Sequence, residues 1–551
     1  MEKKNSKVSF IQDSSLFLLG ILLIFFPLVF TSMSTNSILL PKVALLGIIA
    51  LLLLLLYAGL IMVGKSVKIR KTYFDIPILL LLIFVFMSSV FSVNRADSLT
   101  AFVPFLFAIL IYFLIVNIAK DKNSLLFLMS SLILGGVILS IFTILTFFKI
   151  YILPAVSTHT QSFSLMGSIL DQNIYLLLIG AVSFYFTWRL IKSNLNPTNS
   201  FESSLDAAKA TIFGIASITI LIAVIISTYS LFTTQKPLIL PYETGFQTAF
   251  AEISLDTGRI AQGFLLGSGF GTYSVDFSRW KQVAFNQNQA LWNLTFFRSS
   301  SFVLELLATA GVLSVSAFIF LFIRILKEVK RAIHKPLLLA LLTFFIISII
   351  LPLGFVNQAL VFTILALFAG HQGLREKQNN RFFDIEFQIV TLKKGLISID
   401  TPTKSEKSLI LPSILSIIIV IFVGILGYYS FNYIISDITF QKSLVSAGQN
   451  NAQLTYSQQR DAIRQFPYRD GFHRVFSQTN LAIANSLANQ QSKENTPNAV
   501  VQQQITTQLQ QPDKVSLLTP TILSNIYIWE VFTISCNNGT TLKISSKSRL
   551  T

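Results

Sequence analysis

The sequence predicts an all-α polytopic membrane protein with about eleven transmembrane helices, a large extracytoplasmic loop and a small α-helical C-terminal tail domain. Three observations carry this reading. Only 12% of the 551 residues are charged, while 53% are apolar, against roughly 25% charged in a soluble domain; the mean hydropathy is +0.66. Apolar runs of the length a bilayer requires, about 20 residues each, recur along the chain. The basic residues fall in alternate connections between those runs, the pattern that orients membrane helices.

The runs lie near residues 14–33, 38–63, 74–93, 101–119, 125–148, 172–191 and 209–233, then 302–323, 337–352, 353–370 and 409–433. Residues 1–13 precede them. The stretch from Leu16 to Phe30 lacks a small-residue cleavage pattern and reads as an uncleaved first span. Spans one to seven occupy 14–233 and spans eight to eleven occupy 302–433.

Orientation follows from charge. With Lys3, Lys4 and Lys7 in the cytoplasm, the cytoplasmic connections hold Lys65, Lys68, Arg70 and Lys71; Lys120 and Lys122; and Arg189, Lys192 and Lys209. They continue with Arg324, Lys327, Lys330, Arg331 and Lys335, then Arg375, Lys377, Arg381, Lys393, Lys394, Lys404 and Lys407. That is about 24 of the 42 basic residues, counted by the loop rule. The short outer connections hold only Arg95 and Lys149. Both flanks of 337–370 are basic, so two short spans turning at Pro352 fit better than one. The net charge of +17 is thus a topology signal and gives no reason to expect nucleic acid. The lipid bilayer is the expected partner. The single Cys536 excludes a disulfide framework. His159, His334, His371 and His473 show no ligand spacing, so neither a metal nor another cofactor is expected.

The segment 234–301 is the large outer loop. Trp280, Trp292, Phe246, Phe250, Phe264, Phe285, Phe296 and Phe297 are too many aromatics for a solvated chain. Gln247–Gly263 suits an amphipathic helix on the membrane surface, with Phe250, Ile253, Leu255 and Ile260 apolar and Glu252, Asp256 and Arg259 polar. The turn Leu265-Leu-Gly-Ser-Gly-Phe-Gly-Thr-Tyr273 follows. Its glycines, Gly267 and Gly269 foremost, permit backbone amides to approach a ligand closely; the plainer reading is a tight turn ending the helix.

Arg259, Arg279, Lys281 and Arg298, with Lys236 further out, concentrate positive charge on a side otherwise poor in it. Guanidinium groups grip phosphate oxygens in pairs, and anchoring to lipid headgroups is the ordinary alternative. Arg298 is the strongest phosphate candidate. Glu252, Asp256, Asp276 and Glu305 are the nearby acid–base candidates. Glu305 opens span eight, where either catalysis or the helix dipole accounts for a carboxylate.

These residues resemble the O-antigen ligase/polymerase family. The resemblance rests on Phe264–Ser278, Trp292-Asn293 and Ser300–Ser314, supported by Phe74–Pro77, Ser92–Leu99 and Gly167–Asn173. It covers roughly residues 15–370. It implies a GT-C-like bundle in the bacterial cytoplasmic (inner) membrane, with the N-terminus cytoplasmic and the C-terminus extracytoplasmic. The implied activity is metal-independent glycosyl transfer from a polyprenyl-diphosphate-linked oligosaccharide donor to a glycan or lipid acceptor. Catalytic roles would fall to Glu305 and Asp276, and binding roles to Arg298, Arg259, Arg279, Lys281, Arg95, Gly267 and Gly269. Ser300 and Ser301 stand where the family pattern has its histidine. Either a carboxylate takes over as base or the chain is a divergent branch with altered catalysis. A lipid-linked glycan transporter or flippase, and a catalytically silent scaffold, remain the other readings.

Residues 434–511 carry small and aromatic residues at helical spacing (Ala447, Ala452, Leu454, Tyr456, Ala462, Phe466, Phe472, Phe476). This pattern resembles tetratricopeptide hairpins, too few to stand alone without docking or a protein partner. Gln490–Gln511 is Gln/Asn/Thr-rich, and 512–551 abandons the pattern, as an irregular and truncated or frame-altered terminus would.

Overall fold

A computed structural model describes residues 6–494 and Gln503, apart from 156–157, 162, 195–199, 234–237, 256–257, 288–290, 292–293, 331–334, 376–381 and 388–408. The expected irregular tail 512–551, and Lys236, Asp256, Trp292 and Asn293, lie outside these residues.

The protein is a mostly helical membrane bundle. Its first half comprises α1 (Ser6–Phe25), α2 (Leu39–Gly64), α3 (Asp75–Val90), α4 (Arg95–Ile118), α5 (Lys122–Phe147), α6 (Ile169–Asn194) and α7 (Ser200–Thr233). Four short helices then build the segment expected to be the large outer loop, the outer segment: α8 (Tyr242–Ser254), α9 (Ile260–Leu266), α10 (Tyr273–Trp280) and α11 (Val283–Gln287). The bundle resumes with α12 (Phe302–Lys327), α13 (Lys335–Ile350) and α14 (Phe355–Arg375), and ends with α15 (Ile410–Gly448), α16 (Ala452–Gln465) and α17 (Asp470–Glu494). Among the described residues, eight helices are long and apolar enough to cross a membrane. Shorter apolar stretches at Asp75–Val90, Ile169–Phe184 and Lys335–Ile350 lie at the other three predicted positions.

Local chemistry fixes the helix starts. The Asn94 side chain accepts from the Asp97 amide at 3.3 Å and returns a bond to the Asp97 carboxylate at 2.6 Å, capping α4. Ser301 caps α12 through the Leu304 amide at 3.3 Å. Each cap satisfies an amide with no partner inside its own helix, an effect of about 1 kcal/mol. Burial then ranks the helices: 83% of the α14 span is enclosed but only 17% of the α15 span, so α14 is central and α15 peripheral. Phe362 and Phe368 of α14 pack against Phe105 and Phe74 in one continuous apolar core.

Two features depart from the expectation. A two-stranded antiparallel ribbon joins β1 (Val67–Lys71) to β2 (Phe383–Phe387), linking the α2–α3 and α14–α15 connections. Its register sets Lys68 opposite Glu386 (3.3 Å between charges) and Arg70 opposite Asp384 (3.1 Å). Five residues dense in charge read as a loop because the partner strand is more than 300 positions away. Second, no break marks residues 433–434. At 1.5 Å per residue the 39 residues of α15 extend about 58 Å, well beyond the roughly 30 Å of hydrocarbon. Its far end forms a hairpin with α16, and α17 returns to stack Phe472 on Phe440 at 4.2 Å.

This terminal unit docks on the bundle at the end that carries the outer segment. Asp437 on α15 accepts from the Thr35 amide at 2.8 Å and pairs with Arg469. The Asn94 amide group also reaches Asp470 at 3.3 Å.

Candidate functional site

The outer segment is locked to the bundle by a break in α12. Gly311 has φ 70° and ψ −178°, which interrupts the helix there. The interruption leaves the carbonyls of Ala308 and Thr309 to other donors. The Ser268 amide takes the first at 3.1 Å and the Gly269 amide takes the second at 2.8 Å. Ser88 of α3 also donates to the Thr309 carbonyl at 2.8 Å, and the Val93 amide bonds the Ser268 carbonyl at 2.7 Å. Gly269, at φ 134°, lies so close to Ser92 that a Cβ would overlap its hydroxyl. The glycine turn is thus a joint between the α9–α10 connection, α3 and α12, with two of its amides committed to protein carbonyls.

In place of the expected single helix over Gln247–Gly263, two helices form, α8 and α9. Phe246, Phe250, Leu255 and Ile260 are exposed while Glu252 is buried. Phe246 and Phe250 stack at 4.3 Å on the outward face. The Glu252 carboxylate takes the inner position. There Glu252 accepts from Trp280 Nε1 at 2.7 Å and lies 3.7 Å from Arg279.

Asp276 is buried beneath the glycine turn and accepts from the Ser268 hydroxyl at 2.7 Å. Burial raises its pKa well above the usual carboxylate range, and the neighbouring Glu252 charge adds to the shift. Tyr273 beside it is pushed up to about 12 by burial, despite nearby Ser299 and Thr248.

The chemistry-bearing residues converge elsewhere, on a cavity of about 970 Å³. Arg298 and Ser299, the α6 entry from Met166 to Asp171, the α2 entry from Asn36 to Lys42, and the turn around Pro352 line it. Leu231, Leu238, Phe296, Phe297 and Phe355 make much of its wall apolar. Arg298 Nη1 bonds Asp171 Oδ2 at 3.0 Å, yet the arginine side chain remains 40% exposed to the cavity. Asp171 is held in turn by the Gly354 amide at 2.6 Å, Asn357 at 3.1 Å and Ser168 at 2.9 Å. The surrounding protein works against the Arg298 charge, but Asp171 and Glu305 more than offset this and raise its pKa. Glu305, half-buried in the first turn of α12, feels the Arg298 charge in return, and its Oε2 has no hydrogen-bond partner.

Of the sequence candidates, Arg298 lines the cavity; Glu305 does not, but it lies close enough to interact with the Arg298 charge. Arg259 instead bonds the Phe91 carbonyl at the end of α3 and Gln262 at 3.2 Å. Arg279 lies over Trp280 and against Glu252. Lys281 is half-buried after α10 and Arg95 is exposed at the start of α4; neither lines the cavity. Gly267 and Gly269 belong to the joint described above. Ser300 is fully buried against Gly245, where a Cβ on the glycine would overlap its hydroxyl, so this packing has little space for a histidine ring.

Two residues of the cavity escaped the sequence reading. Asp171 entered only as part of a motif, with no role. Lys42 interrupts an apolar run, and a lone cation inside a span is itself a signal of function. No protein-family model matches the chain, and no curated protein matches it.

Proposed function

We propose that this protein is an O-antigen ligase-like membrane glycosyltransferase. In this reading it crosses the bacterial cytoplasmic membrane eleven times, with the N-terminus cytoplasmic and the cavity and C-terminal helices outside. It takes a glycan from a polyprenyl-diphosphate carrier and delivers it to a hydroxyl of an acceptor glycan or lipid. One observation carries the reading: Arg298, fixed by Asp171, faces a cavity of about 970 Å³ whose walls are part polar and part apolar. Such a space suits a ligand with a charged head and a hydrocarbon tail.

The chemistry needs two things from the protein. A diphosphate leaves readily once a cation neutralises the charge that develops on it, and Arg298 supplies that cation. The acceptor hydroxyl must lose its proton as its oxygen bonds the anomeric carbon. Glu305 is the base in this proposal because its unpaired oxygen lies within the field of Arg298. The bond from the anomeric carbon to the diphosphate breaks, and the lipid diphosphate departs with the electron pair. Asp276 has no part in this scheme, since its carboxylate is held by the Ser268 hydroxyl beneath the glycine turn and it is Glu305 that interacts with Arg298.

The broken α12 favours a second reading, a transporter of lipid-linked glycan, because discontinuous helices commonly form transport sites. Here the carbonyls freed at the break are occupied by Ser268 and Gly269 rather than facing an open path. The test is reconstitution of the protein in liposomes with a prenyl-diphosphate oligosaccharide and an acceptor glycan. A new glycosidic bond supports transfer. Movement of the lipid across the bilayer with no new bond refutes transfer in favour of transport.

A further inference from the structure

Lys42 is a buried cation without a carboxylate partner among the described residues. It is fully buried in the first turn of α2, and its ammonium donates to the Pro27 carbonyl at 3.1 Å and the Val29 carbonyl at 2.7 Å. Two carbonyls are dipoles and do not balance the charge of the protonated amine. Among the described residues no carboxylate pairs with it, whereas Arg298 across the same lining has Asp171. Burial of an unpaired ion is unfavourable. A helix N-terminus is also positive, so a cation there opposes the helix dipole. An anion brought to the cavity would relieve both conditions together.

The cavity is where that anion fits. Its charged lining residues are Lys42, Asp171 and Arg298, two cations against one carboxylate. The carboxylate is already bound to the arginine, so the excess positive charge resides at Lys42. An ammonium has three donors, of which the two carbonyls use two.

We infer that Lys42 and Arg298 together form a two-cation seat for a diphosphate group, in which the ligand supplies the counter-ion Lys42 lacks. This rests on the transfer reading for its biological ligand and adds a residue and a specificity to it. Two cations from separate elements, α2 and the approach to α12, select a ligand with two phosphates over one with a single phosphate. The shared chemistry is that of a diphosphate, carried either on a prenyl lipid or as a free ion.

Binding to the purified full-length protein in detergent tests the seat, with farnesyl diphosphate, farnesyl monophosphate and inorganic pyrophosphate as probes. The expected result is binding of farnesyl diphosphate at least tenfold tighter than of the monophosphate. Lys42→Met should weaken diphosphate binding tenfold or more, about 1.4 kcal/mol, while the ligand-free variant melts no lower than the wild type. Lys42→Gln keeps a donor for the two carbonyls without the charge and should show the same loss. Weaker binding of pyrophosphate supports a lipid headgroup at the seat, and equal binding supports a soluble diphosphate there. Equal affinity for mono- and diphosphate, or unaltered binding in both variants, would overturn the seat. Lys42-dependent binding without glycosidic bond formation refutes the transfer reaction alone; intact transfer with Lys42-independent binding refutes the seat alone.

Discussion

Replacing Gly311 by alanine tests how the outer segment is attached. At φ 70° and ψ −178° the backbone lies in a region essentially reserved for glycine, and strain of this type costs about 1–3 kcal/mol. The added Cβ would also overlap the Leu265 backbone, so the glycine turn must move away. That movement breaks the bonds from Ser268 and Gly269 to the Ala308 and Thr309 carbonyls, worth about 1 kcal/mol each. The sum is about 3–5 kcal/mol, confined to the joint. Hydrogen exchange in detergent reads it directly. The Ser268 and Gly269 amides should lose protection in Gly311→Ala, with exchange rising through α9 and α10, while α4 and α14 keep theirs. Wild-type protection at both amides, with an unchanged melting temperature, would show that the break in α12 is not what holds the turn.

Other consequences are equally open to measurement. Asp171→Asn removes the charge that holds Arg298; because that side chain is partly exposed, the destabilisation should be only about 1 kcal/mol, with glycan transfer falling about 10–100-fold through lost positioning. The Asp276 pKa is raised in the folded state, so its contribution to stability is present below the usual carboxylate range and is lost as pH rises through the raised value. Melting curves should therefore decline as pH climbs above that range, and Asp276→Asn should flatten the decline; equal slopes would contradict the assignment. Arg469→Ala leaves Asp437 buried with only Thr35 beside it, and limited proteolysis should cut within α16 and α17 sooner than in the wild type. Asp384→Lys sets like charges against Arg70 and Lys120, and should loosen the ribbon by about 1 kcal/mol, read as faster exchange in β1.

The membrane bundle was legible in the sequence because lipid imposes a simple rule on it: long apolar runs, with charge confined to the connections. Each described bundle helix falls on a predicted run. The ribbon was not legible, since Val67–Lys71 is too short and too charged to announce a strand. The glycine turn was visible as a motif, but its partner was not. Its amides go to α12 only because Gly311 breaks that helix, and nothing local to residues 265–273 conveys this. The amphipathic segment was legible as helical but not as two helices, and nothing local to it tells that Glu252 turns inward to Trp280. At the candidate site, Arg298 stood out as a cation on the poorly charged side. Lys42 was hidden by the apolar run around it, and Asp171 becomes meaningful only when α6 meets the approach to α12.

The central claim is that Arg298, among the cations of the outer segment, faces the reacting diphosphate. Initial rates of glycan transfer in proteoliposomes test it through Arg298→Ala, Arg259→Ala and Arg279→Ala compared side by side. Loss of a charge that stabilises the departing diphosphate should cost Arg298→Ala about 10²–10³-fold, with much smaller losses in the other two. A wild-type rate in Arg298→Ala, or equal losses in all three, would contradict the account.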